Sequence, residues 1–179
     1  MAAGRGSAGE GEQAPPRAVA VADQELVRQL AQLGDADAVE LLVEDFWASP
    51  QTVRLLDGNG RVPWAVQALR EVDAPSARQI VALAEALPNL LSDDLAVHAQ
   101  ALAELVPLGP LAVRALAEPL RAYAAEQQLG AGEDMDWNEI REDAARLTAI
   151  IRTITVALEA IGGPEAVRAL AEHRSQPSV

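Results

Sequence analysis

The stretch Ile154-Thr-Val-Ala-Leu-Glu-Ala-Ile-Gly-Gly-Pro-Glu-Ala-Val-Arg-Ala-Leu-Ala-Glu172 decides how this chain is read. It is one helix, a Gly-Gly-Pro break and a second helix, both rich in Ala and Leu. Proline suits the start of the second helix, because its missing N–H costs nothing at the first helical position. Three weaker copies lie upstream: Gln29–Leu42, Gln67–Ile80 and Gln100–Leu116. Their shared pattern is roughly A-L-x-x-[LIV]-G-x-P-x-A-V-x-A-L.

The equivalent leucines are Leu30, Leu69, Leu102 and Leu158, spaced by 39, 33 and 56 residues. Helix-pair repeats run to about 30–47 residues, so the last interval is too long by about one helix. An insertion between roughly residues 119 and 141 accounts for it. One helical pair cannot bury both of its faces, so neighbouring pairs must stack over a continuous thin core.

The pattern resembles HEAT-type repeats, in particular the bacterial HEAT-like repeats also found in phycobilisome lyases. Ala157-Leu158, Ile161-Gly162, Pro164, Ala166-Val167 and Leu170 carry the resemblance, with their weaker copies. It implies an all-α fold: a short irregular α-solenoid of about four helical pairs over residues 23–173, with an antiparallel helical bundle as the alternative. It also implies a protein-interaction scaffold. The lyase branch implies the runner-up, an enzyme or accessory subunit holding a small molecule in the helical groove.

Punctuation along the chain supports the helical reading. Leu26, Leu30 and Leu33 share a face before Gly34 stops the first helix. Asp35 or Asp37 caps the next, with Val39, Leu42, Val43 and Phe46 as its apolar face. Pro50, Pro63, Pro75, Pro110 and Pro164 each stand where a helix should begin, and Ser92-Asp-Asp caps another. Pro119 falls inside a helical run and is expected to kink or split it near Glu118. No segment alternates apolar and polar residues as a strand would.

Past the insertion, Asp136-Trp-Asn-Glu139 resembles a capping box. Trp137, Ile140, Ala144, Leu147, Ile151, Ile154, Leu158 and Ile161 then define one face of a helix of about 25 residues, almost 40 Å long. The last repeat therefore has an extended first helix. The polar residues after Glu172 suit a stack that ends there, with 174–179 as a short tail.

Composition excludes several classes of function. There is no cysteine, hence no disulfide, thiolate nucleophile or cysteine metal site. All 14 basic residues are arginine, which fits the codon bias of a GC-rich genome. The net charge is −13, and 25 acids face 12 arginines beyond residue 22. Such a field repels phosphate backbones and anionic lipid surfaces, so neither nucleic acid nor membrane is expected as a partner. No apolar run spans a bilayer and no secretory signal is evident, which leaves the cytoplasm as the expected location.

Residues 1–22, rich in Ala, Gly, Pro and Glu, read as a disordered tail. Gly4-x-Gly6-x-x-Gly9 fits a dinucleotide fingerprint but has no strand before it. Asp134-Met-Asp136 begins like a calcium loop, yet the sixth and twelfth positions hold Glu139 and Ala145. His98 and His173 are the only histidines. His98 follows Asp94 by one helical turn and is expected to pair with it, and His173 sits in a fraying tail.

No catalytic, metal or cofactor residue is assigned. The expected function is a non-catalytic interaction module for a protein with a basic patch, weakened by salt. Trp64, Tyr123 and Trp137 are its candidate interaction surface, and in the lyase-like alternative they would stack on the small molecule. Self-association through uncovered end helices is a further expectation.

Overall fold

Few aromatic side chains and many alanines dictate a core of closely approaching helices, and the computed structural model shows one. It describes residue 20 and residues 23–57, 62–129 and 137–175. The tail motif, the glycine turn at 58–60 and the acids at 133–136 therefore lie outside the described residues, as does the side chain of Trp137. Among the described residues every regular element is helical and there is no strand.

In chain order the helices are α1 (Gln24–Gln32), α2 (Ala36–Ala48), α3 (Pro50–Arg54), α4 (Trp64–Leu69), α5 (Pro75–Ala86), α6 (Leu95–Leu105), α7 (Pro110–Leu129), α8 (Trp137–Ile161) and α9 (Gly163–Ser175). Short 3-10 turns follow α3, α5 and α6. Asp35 rather than Asp37 caps α2, accepting from the Ala38 amide at 2.9 Å. Ser49 caps α3, and Thr52 Oγ1 donates to the Phe46 carbonyl. Asp94 caps α6 through the amides of Ala96 and Val97, at 2.8 and 3.4 Å. That engagement replaces the expected Asp94–His98 pair. The imidazole Nδ1 lies instead 2.7 Å from the Leu90 carbonyl oxygen.

Each of the four segments aligned in the sequence straddles a helix–turn–helix: α1–α2, α4–α5, α6–α7 and α8–α9. The turns within the last two copies need glycine. Gly109 has φ +51° and ψ −118°, and Gly162 and Gly163 have φ +67° and +86°, where a Cβ would crowd the backbone. Pro119 does not split α7, which runs on to Leu129. The proline is buried, and its missing N–H leaves the Ala115 carbonyl without its usual helical donor.

One continuous core runs from Val27 in α1 to Leu170 in α9. Leu42, Phe46, Leu116, Ile154 and Leu158 are fully enclosed, each stabilising the fold by roughly 1.5–3 kcal/mol. Ala65, Ala77, Ala86 and Ala112 are equally buried, and their small side chains let helices approach. Consecutive helices pack on one another, as α1 on α2, α4 on α5, and α8 on α9. Other contacts cross copies: α2 lies on α4 and α5, while α7 touches α3, α8 and α9. The Arg114 guanidinium of α7 sits 4.2 Å over the Trp47 ring of α2.

Two sequence expectations are corrected here. The leucine face of α1 is not its core face. Val27 and Ala31 are buried, whereas Leu26, Leu30 and Leu33 are 58%, 38% and 84% exposed. The reason is positional: α1 packs mainly on α2 and α4, through the face that carries Val27 and Ala31. His173 belongs to the last turn of α9, half-buried, and not to a frayed tail. By contrast α8 has the expected start and length, 25 residues from Trp137, with Ile151, Ile154 and Leu158 buried. Among the described residues no single helix is long and apolar enough to cross a membrane. The apolar pair Leu95–Leu108 and Pro110–Gln127 is bent by 118°.

Candidate interaction surface

The α1–α2 hairpin concentrates the two properties expected of a docking face, exposed apolar area and unbalanced charge. Its polar side is fastened first. Arg28 reaches both oxygens of Glu25, at 2.8 and 3.0 Å, in a fork that matches a carboxylate. A third guanidinium nitrogen bonds Glu71, just past α4, at 3.2 Å. Gln29 donates to Glu25 at 2.8 Å, and Gln32 donates to Glu71. The Arg28 hydrogen bond, then that of Gln29, holds the Glu25 carboxyl below its ordinary range. The same bond raises the Arg28 guanidinium. These groups are exposed, so the clasp fixes orientation more than it adds stability.

With the clasp fixing one side of α1, Leu26, Leu30 and Leu33 turn to solvent on another. Beside Leu33 opens a groove of about 570 Å³ between the α1–α2 turn and the segment entering α5. Ala31, Val39, Val43, Val72 and Ala74 line it with apolar surface; Glu40 and Asp73 supply carboxylates, that of Asp73 being 3.6 Å from the Arg78 guanidinium. Residues 23–48 hold seven acids against the single Arg28, already engaged in the clasp. Asp37, Glu40 and Glu44 have no ion-pair or side-chain hydrogen-bond partner among the described residues. An apolar groove with the unneutralised carboxylate of Glu40, on a hairpin with an excess of acids, is complementary to a segment with apolar anchors and flanking arginine or lysine.

Of the aromatics expected to form the surface, Trp64 and Tyr123 do not line this groove. Trp64 begins α4 and is half-buried against the core. It lines a small cleft of about 220 Å³ with Gln24, Asp45 and Pro63. Tyr123 lies in α7, half-buried against the core, and is absent from both cleft linings. The described residues give no position for the Trp137 ring. Partial burial is the physical reason: Trp64 and Tyr123 spend much of their apolar surface on packing. The exposed row on α1 was visible in the sequence as a leucine stripe. Periodicity alone assigns such a stripe to the core, because it cannot register which neighbour is missing.

No protein-family model, curated protein or solved structure matches the chain. Among the described residues no group of three or more His, Asp or Glu side chains gathers as a metal site.

Proposed function

We propose that this chain is a non-catalytic interaction module, a short irregular α-solenoid of HEAT-like helical pairs. Its N-terminal groove would take an apolar-anchored, basic helical segment of a protein partner. The observation that carries this reading is the solvent-facing row Leu26, Leu30 and Leu33 beside a groove bearing the free carboxylate of Glu40. Exposed apolar rows flanked by one sign of charge are a common form of helix-in-groove recognition. The solenoid reading draws on the four helix–turn–helix copies and their stacking on chain neighbours.

The test is fluorescence anisotropy with synthetic amphipathic helices that share an apolar face but carry either basic or acidic polar faces. Basic peptides are expected to bind and acidic ones not to. Affinity should fall several-fold as salt rises from about 50 to 300 mM, since screening shortens to a few ångströms. The paired change Leu26→Asp and Leu33→Asp should abolish binding while leaving the melting curve in place. Equal binding of both peptide sets, or none of either below about 1 mM, would overturn the reading.

A further inference from the structure

A second cleft, of about 610 Å³, lies where Leu56, residues 88–93, α6 and α8 meet. Its volume is in the range of small-molecule sites. Leu56, Leu90 and Ile150 are buried and give it an apolar base. Asn89, Ser92, Asp93, His98, Arg146 and Thr153 bring polar groups from three separate parts of the chain.

The loop that forms one wall is pinned by its own hydrogen bonds. The Leu90 amide donates to Leu87 O and the Ser92 amide to Asn89 O, both at 3.2 Å. Asn89 Nδ2 donates to Glu85 O at 3.1 Å, and the Asp94 amide to Ser92 Oγ at 3.2 Å. His98 completes the set at the Leu90 carbonyl. A carbonyl oxygen only accepts, so Nδ1 carries a proton and Nε2 is the ring nitrogen left for a ligand.

Three groups remain unspent. His98 Nε2 has no hydrogen-bond partner among the described residues. Arg146 and Asp93 line the same cleft, yet neither is within salt-bridge distance of the other or of any described residue. The cleft thus offers a planar cation on α8, and an anion and an imidazole nitrogen on its other lining segments.

We infer that this cleft binds a small zwitterion, a free amino acid or a compound with the same carboxylate–ammonium pair. Arg146 receives the carboxylate in its fork. Asp93 and His98 Nε2 accept from the ammonium, and the Leu56–Leu90–Ile150 base covers a hydrocarbon side chain. A phosphate dianion fits worse, because it meets the Asp93 charge. The site is independent of the α1 groove.

The experiment is isothermal titration of the full chain with a panel of free L-amino acids. L-Leucine is compared with N-acetyl-L-leucine and isopentylamine, which each lack one charge, and with inorganic phosphate. At least one amino acid should saturate a single site below about 1 mM. Loss of either ligand charge should weaken binding about 10- to 100-fold, as should Arg146→Ala or Asp93→Asn. Both side chains are exposed, so circular dichroism should show the variants folded, and basic peptides should bind them as before. No amino acid bound by about 10 mM would overturn the inference. So would phosphate binding more tightly than the zwitterions, or amino-acid binding unchanged in both variants.

Discussion

At the scale of the residue, Arg28 shows how one side chain can orient a helix. It joins two carboxylates that belong to different helical pairs, Glu25 on α1 and Glu71 beyond α4. The carboxyl of Glu25 is lowered mainly by that bond. A depressed acid contributes where it is ionised, so its contribution is present above the unfolded pKa and lost as pH falls through the folded one. In Arg28→Ala the Glu25 carboxyl should titrate back toward the ordinary glutamate range, as followed by its carboxyl carbon shift. Unchanged titration would show that Arg28 does not hold it. The i to i+3 spacing of Glu25 and Arg28 is legible in sequence. The reach to Glu71, 43 residues away, is not.

At the scale of the element, helix ends were largely legible because they rest on local chemistry. Prolines at the first turn, Asp35, Ser49 and Asp94 as caps, and glycines at breaks act within a few residues of themselves. Gly162 is the clearest case. It has φ +67°, and beyond its own chain neighbours a Cβ added there would meet no atom within 4 Å. Any cost of Gly162→Ala is therefore conformational. It should be about 1–2 kcal/mol, the penalty for an L-residue in the left-handed region, measured by urea unfolding. A neutral result would mean that the α8–α9 turn relaxes out of that conformation. Of the two outcomes expected at Pro119, a split does not occur: α7 continues through it, with the proline buried.

For the whole molecule, the decisive fact is that one apolar cluster joins all the copies. Phe46 in α2 and Leu158 in α8 belong to the same core though they lie 112 residues apart. Phe46 also meets the Trp47 ring edge-on, with centroids 4.9 Å apart. Phe46→Ala should cost about 3–5 kcal/mol and Leu158→Ala about 2–5 kcal/mol. In each variant, tryptophan fluorescence and far-ultraviolet circular dichroism should still unfold in one coincident transition. Two separated transitions would show that the copies fold as independent units.

The helical class, most helix boundaries and the length of α8 follow from local pattern: apolar spacing, caps, and the positions of Pro and Gly. Each acts over a turn or two of chain, so a reader of residues can see it. The groove at the α1–α2 turn and the polar cleft do not follow from local pattern. The leucines of α1 look like core residues until the missing neighbour is seen, and His98 looks paired with Asp94 until the Leu90 carbonyl is placed. Asp93 and Arg146, 53 residues apart, share a cleft only because α8 comes back against the segment preceding α6. Burial and charge pairing are properties of which surfaces meet, and packing among distant helices settles that.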